Sequence, residues 1–380
     1  MTRTNSILLN LVQPLPLREP LELSTGDLSE LKSAALKHNL LMLVYTRLKK
    51  HASDFDLHGS VSEFLISLDP LCLKSAAKSI QHESLENKTI GLLKGEGIPA
   101  IVIKGNALAK EIYEDINSRT SCDIDLLIRS GDVLRADEVL LQSSYARSET
   151  TPLNFRMGRL HHAVYINDET GITVEVHWNL GIPNLFDLSS EDIWAEMIFA
   201  EGSPQKLSPE MTLIMLLMHH YIHFFRELRI LVDILWALDK YGDLIDPVMF
   251  GNKLRKIGLI KTMQITIDQI RYLWGGIDRD MPIIATLGRS LEKISNRRSG
   301  LLMSYFRMDL ESDRLHDQFM DKIIARFALD RRRTVAYSFT KIFLPQPKTV
   351  RDFYGDNRNW ILPFSYIRFF VWRIKEWGRK

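Results

Sequence analysis

Cys122-Asp123-Ile124-Asp125-Leu126-Leu127-Ile128 is a mostly apolar run of strand length that carries two acids separated by a single residue. In an extended chain successive side chains alternate, so Asp123 and Asp125 share one face while Cys122, Ile124 and Leu126 point to the other. Two carboxylates side by side on a buried strand repel each other. The pair is costly unless a cation sits between them, and oxygen ligands of this kind suit magnesium or manganese. The alternative is a strand end at which both acids are solvated or paired with arginine. Downstream, Ile172-Thr173-Val174-Glu175-Val176-His177 alternates in the same way and sets Thr173, Glu175 and His177 together. If this strand lies beside the first, three carboxylates converge, enough to hold two metal ions that activate an attacking oxygen and steady a leaving pyrophosphate.

Upstream, Ile101-Val102-Ile103-Lys104-Gly105-Asn106 reads as a strand that ends at a glycine and enters a helix. The free N–H groups of a helix start form a natural phosphate site, and Lys104 adds positive charge there; the plainer alternative is a turn with a surface lysine. Arg119, four residues before Asp123, either neutralises phosphate charge or pairs with a neighbouring acid.

Working outward, four strands are expected at 100–103, 122–128, 162–166 and 172–177, the last two joined by the turn Asn167-Asp168-Glu169-Thr170-Gly171. Short helices are predicted over about 106–113 and 130–144. Helical periodicity precedes this unit, from Asp27 to His51 and from Ser60 to Glu96 with a break near Pro70. It returns at Ser208-Pro209-Glu210 and continues to about Arg333, with breaks at Tyr241-Gly242, Asp246-Pro247 and Gly275-Gly276. The expected class is therefore α+β, a small mixed β-sheet core flanked by helical regions. The divisions are 1–97 (N-terminal helical), 98–200 (α/β core) and 201–380 (C-terminal helical, with a basic amphipathic tail).

The 380-residue chain is 45% apolar with a formal net charge of +2, so its overall charge demands no polyanionic partner, and the absence of a basic stripe argues against nucleic acid. Its two cysteines, Cys72 and Cys122, have no metal-ligand spacing and suit a reducing compartment. The apolar run near the N-terminus is too short for a secretion signal, and no window reaches the roughly 18 uninterrupted apolar residues of a membrane span, so a cytoplasmic location is expected.

Together, Val102-Ile103-Lys104-Gly105, Arg119, Asp123-Ile124-Asp125-Leu126-Leu127-Ile128 and Val174-Glu175-Val176-His177 resemble the polymerase-beta-like nucleotidyltransferase superfamily. They are most similar to its bacterial branch called simply nucleotidyltransferase family protein, in which Lys-Gly stands in for Gly-Ser. The resemblance covers residues 98–180 and extends into the helices, where His219, Arg229 and Asp233 fit the branch's downstream pattern. The tail, Phe343-Leu344-Pro345-Gln346-Pro347 and Arg351-Asp352-Phe353-Tyr354-Gly355, is similar too. The resemblance implies that Gly105 holds the β- and γ-phosphates through its backbone, and that Asp123 and Asp125 bind Mg2+ or Mn2+. Glu175 completes the second metal site or deprotonates the acceptor. Asn106 stands where other members carry a phosphate-binding serine, with Lys104 as the substitute. His177, His219, Arg229 and Asp233 are the candidate substrate contacts. The implied reaction moves a nucleoside monophosphate from a nucleoside triphosphate, ATP by cellular abundance, to an unidentified acceptor hydroxyl or phosphate. Phosphoryl transfer at the same site and a non-catalytic nucleotide-binding or partner protein are the alternatives.

Four other features carry both a functional and a structural reading. His219 and His223 share a helix face, but no glutamate lies between them as zinc proteases require, and polar helix contacts are the expectation. Alternation sends His161 and His162 to opposite faces, so at most one is expected in the cleft. Arg229 and Asp233 form a salt bridge or a recognition patch, and Arg331-Arg332-Arg333 a solvated helix end or an anion-steering patch. Residues Ser365 to Lys380 read as a basic amphipathic helix that packs on the protein, binds a partner or lies on the inner face of an anionic membrane.

Overall fold

The computed structural model describes residues 2–16, 23–51, 60–148, 160–200 and 203–294, with isolated positions 153, 305, 310, 324, 325, 327–330 and 368. The chain divides into two compact units, Met1–Arg314 and Leu315–Lys380, and every element below belongs to the first. The arginine run at 331–333, the motifs at 343–355 and, apart from Arg368, the basic segment 365–380 lie outside the described residues.

The architecture is α+β. Strands β1 (Ala100–Val102), β2 (Asp123–Ile128), β3 (Tyr145–Arg147), β4 (His162–Asn167) and β5 (Thr173–His177) form one mixed sheet in the order β1-β2-β5-β4-β3. The pair β2–β5 is parallel and the other pairs are antiparallel. Strand β3 was not expected from sequence; Tyr145-Ala146-Arg147 has no β-branched residue to mark it, unlike the equally short β1. The small hairpin β6 (Met197–Ala200) and β7 (Ser203–Leu207) was not expected either, having no run of such residues.

One face of the sheet is dry: Ile124, Leu126, Ile128, Tyr165, Val174 and Val176 pack against Leu85 and Leu93 of α4 (Ser60–Gly95) and Val133, Ala136 and Leu140 of α6 (Val133–Leu141). These are the positions that alternation assigns to the core, which leaves the odd-numbered residues of β2 and β5 on the opposite face. Helix α4 runs unbroken through Pro70, where a break was expected. A proline removes the bond to the carbonyl four residues earlier, and Ile66 there is 67% exposed, so water can satisfy that group.

At the N-terminus α2 (Thr25–Lys37) and α3 (Leu41–Lys50) replace the single helix expected over 27–51, and α1 (Arg3–Val12) precedes them unpredicted. The break is at Asn39, which takes a left-handed φ of 56°. Ser24 and Asp27 form a capping box at the start of α2. Helices follow at Pro209–Ile222, Leu228–Tyr241, Pro247–Ile257, Ile260–Leu273, Ile277–Asp280 and Pro282–Ile294, with breaks at the three expected places. The first helix is tied to the helices that follow the sheet: Trp236 Nε1 donates to the Val12 carbonyl (2.7 Å) and Trp274 Nε1 to the Leu9 carbonyl (2.9 Å). No described helix is long and apolar enough to cross a membrane.

A cleft of about 710 Å³ opens on the α4 side of β1, lined among others by Glu83, Glu86, Asn106 and Lys110. Glu86 is 6% exposed there, and burial, with the nearby Glu83 carboxylate, pushes its pKa up to about 7 against the offsetting pull of Lys110 and Asn106. A carboxyl whose folded pKa is raised contributes its full stability below the unfolded value and loses it as pH rises towards the folded one. Between about pH 4.5 and 7 the wild type should therefore lose on the order of 2 to 3 kcal/mol relative to Glu86→Gln. Urea unfolding of both proteins across that range checks this; parallel pH profiles would contradict it.

Candidate functional site

The site is built on the polar face where β2 and β5 run side by side. Their register sets Asp125 opposite Glu175 and Asp123 opposite Thr173, so the strand adjacency assumed from sequence holds. Asp125 is 3% exposed and Asp123 is half-buried. Lys104 comes off the end of β1 and places Nζ 2.6 Å from Asp125 Oδ1. From the last position of β5, His177 Nε2 stands 2.9 Å from the same oxygen and 3.3 Å from Glu175 Oε2.

The electrostatics separate the three acids. Burial works to raise the Asp125 pKa, but the Lys104 ammonium and the His177 imidazole more than offset it and hold the group well below the usual carboxylate range. Asp123 is raised, by burial first and then by the Asp125 and Glu175 carboxylates. For Glu175, hydrogen bonding to His177 and the charge of His162 outweigh burial and lower it. His177 is raised, because its bonds to Asp125 and Glu175 outweigh its own burial.

These residues fit a divalent cation. One donor atom each from Asp125, Glu175 and His177 lie within 4.8 Å of one another, and the repulsion felt by Asp123 is of the kind a bound cation relieves. The donor set is mixed, carboxylate oxygen with imidazole nitrogen, and His177 belongs to it more directly than the substrate role expected for it.

The Lys104-Gly105 turn adjoins the acids. Gly105 has φ 56°, and a Cβ there would lie 3.4 Å from Ser121 Oγ. Gly105→Ala should cost about 1–2 kcal/mol in stability from the left-handed backbone alone, read by thermal unfolding, together with a loss of nucleotide affinity. An unchanged midpoint would show that the turn relaxes freely. The helix that follows covers the expected stretch but is α-helical only over Gly105–Leu108 and then a wider π turn over Ala109–Tyr113.

Other expected residues are placed differently. Asn106 turns away from the acids, is 2% exposed and donates through Nδ2 to the Ser79 carbonyl of α4 (2.9 Å). Arg119 takes the second of its two readings: it is buried and its Nε lies 3.2 Å from both carboxylate oxygens of Asp233. Tyr113 donates to Asp233 Oδ1 at 2.7 Å. Arg229 instead donates to the Thr120 carbonyl (3.1 Å), so the expected Arg229–Asp233 bridge is replaced by two contacts that both grip the segment leading into β2. A helical i, i+4 spacing permits a pair, but Asp233 found a better-buried partner from another element.

His219 is half-buried; burial and the charge of Lys104 hold its pKa well below the usual value. Its ring lies 4.5 Å from that of His223, which pairs with Glu227, and neither joins a three-ligand group among the described residues. His161 and His162, by contrast, both face the site, with ring centroids 5.5 and 5.0 Å from His177. Strand alternation starts only at His162; His161 sits in a bend before it, where the rule does not apply.

Sequence reasoning missed Ser121, whose hydroxyl donates to the Asp123 carbonyl (2.8 Å) and lies 3.2 Å from Asp123 Oδ1. Extending the alternation one step upstream from Asp123 would have placed it on the same face. No curated protein and no solved structure matches the chain. Residues 24–275 match the pattern of a family described as an uncharacterised nucleotidyltransferase, and with most of its length inside that match the chain belongs to this nucleotidyltransferase family.

Proposed function

We propose that this protein transfers a nucleoside monophosphate from a nucleoside triphosphate, ATP by cellular abundance, to an acceptor hydroxyl or phosphate, releasing pyrophosphate. The observation that carries the reading is the pairing of Asp125 with Glu175 across β2–β5, with Asp123 on the same face and the Lys104-Gly105 turn beside them. Asp123, Asp125 and Glu175, with His177 adjoining, would hold Mg2+ or Mn2+, which when bound supplies charge neutralisation at the reacting phosphate and lowers the pKa of an attacking oxygen.

The chain's own residues do the rest. Lys104 brings positive charge to the polyphosphate, and the first-turn N–H groups of Asn106 and Ala107, which a helix start leaves without intrahelical acceptors, can bind phosphate oxygens. Glu175 completes the cation site or, where Asp123 and Asp125 hold the ion without it, takes the proton from the acceptor hydroxyl. Fixing donor and acceptor in line on a rigid parallel strand pair contributes through positioning and preorganised charge.

Titration calorimetry with the four ribonucleoside triphosphates, with and without magnesium, tests this on the wild type and on Asp123→Asn/Asp125→Asn. Magnesium-dependent binding to the wild type, lost in the double variant, is expected. Product analysis then discriminates: pyrophosphate release supports nucleotidyl transfer, nucleoside diphosphate points to a phosphotransferase, and binding with neither product to a non-catalytic protein.

A further inference from the structure

The ends of β4 and β5 assemble a second donor set beside the carboxylates. His162 pairs directly with His177 across the antiparallel ladder, and His161 folds in against both. Donor nitrogens of His161, His162 and His177 lie within 4.8 Å of one another. Glu175 Oε2 adjoins them, 3.3 Å from His177 Nε2 and 3.8 Å from His162 Nε2. His161 Nδ1 is buried without a hydrogen-bond partner, and the ring's other nitrogen, Nε2, is the one turned towards His162.

We propose that His161, His162 and His177, with Glu175, form a binding site for a borderline transition-metal ion of the zinc class, separate in chemistry from the hard-cation role of Asp123 and Asp125. Three imidazoles and one carboxylate make an N3O set, which suits zinc and its neighbours, whereas magnesium takes oxygen ligands. Bonds of about 2.1 Å in tetrahedral geometry separate ligand atoms by roughly 3.4 Å. His161 Nε2 and His162 Nδ1 are already 3.3 Å apart, close to that separation, and with His162 ligating through Nδ1 the carboxylate of Glu175 joins the set from the His177 side, 3.3 Å from His177 Nε2. The chain brings these ligands together cheaply: the Trp178 amide holds the His161 carbonyl (2.9 Å), and Trp178 Nε1 holds that of Leu160 (3.1 Å). Glu175 has two carboxylate oxygens and so links the imidazole site to the acids of the proposed transfer centre. The proposal goes beyond that transfer reading and shares only Glu175 and His177 with it.

The test uses the full chain, freed of metal by chelation and titrated with cobalt(II) in excess magnesium without nucleotide. One equivalent should bind, with visible ligand-field bands that zinc abolishes. His161→Ala and His162→Ala should each weaken cobalt binding by more than the roughly 10–100-fold that loss of an outer-shell partner costs. Circular dichroism confirms folding of each variant, and His161→Asn serves if the alanine variant does not fold. Absent bands, or bands and affinity indifferent to both histidines, overturn the site. Magnesium-dependent ATP binding by His161→Ala, expected to persist, reports on the transfer reading separately, so the two failures are distinguishable.

Discussion

Asp125→Asn should leave the fold standing and lower nucleotidyl transfer on the order of a thousandfold or more, equivalent to ~4 kcal/mol of transition-state stabilisation. The variant keeps an oxygen for His177 and very nearly the same volume, so its loss is one of charge. Asp125 is the most buried of the three acids and meets both Lys104 and His177. Without its charge, Lys104 loses its counter-ion at 13% side-chain exposure and Glu175 loses its neighbour in cation binding. Because Lys104 can reach some solvent, the stability cost should stay below the ~3–5 kcal/mol of a fully buried broken pair. Pyrophosphate release and urea unfolding, measured on the same preparation, separate the two effects. Transfer that survives both Asp123→Ala and Asp125→Ala would mean that the chemistry lies elsewhere.

The largest effect on stability is expected at Asp233. Its carboxylate and the Arg119 side chain are 0% and 5% exposed, and the Tyr113 hydroxyl uses the same acceptor. Burial alone would depress the Arg119 pKa, but Asp233 and then Tyr113 outweigh it and raise it, so the guanidinium stays charged. Asp233→Ala strands that charge and leaves the phenol without its acceptor, at a cost of about 3–5 kcal/mol, a large part of the ~5–15 kcal/mol that holds a typical domain together. The double change Arg119→Met/Asp233→Leu should be milder than Asp233→Ala, because it removes both charges. Denaturant unfolding of the three proteins decides the matter, and a single-variant loss under about 1 kcal/mol would refute it. Asp233 and Arg229 hold the segment 119–120 that leads into β2, so the destabilised variant should also bind nucleotide more weakly.

Much of this was legible because strands have a period of two. Given that Ile124, Leu126, Val174 and Val176 are apolar, only one register buries them, and that register puts Asp123, Asp125, Glu175 and His177 on the other face. The Lys104-Gly105 turn was readable for a similar local reason: a lysine and a glycine lie at the junction of a β-branched run and a helix. Helix breaks at Gly242, Pro247 and Gly275 follow from residues that interrupt helices by themselves. The short strand β3 and the hairpin β6–β7 were illegible, since Tyr145-Ala146-Arg147, Met197-Ile198-Phe199-Ala200 and Ser203-Pro204-Gln205-Lys206-Leu207 lack the β-branched run that marks β1 and β5.

The partners of charged groups are a different kind of fact. Arg119 bonds a residue 114 positions away, and Asn106 turns to Ser79, because each polar group settles where burial leaves an unmet partner. His161 faces the site because the chain bends before β4, which no alternation rule anticipates. The sequence by itself determined which side chains share a strand face, a property of the covalent chain and its pleat. Only the tertiary structure decided which strand lies beside which, which cation meets Asp125, and that His161 and His162 meet at His177, because those outcomes depend on packing among segments far apart in the chain.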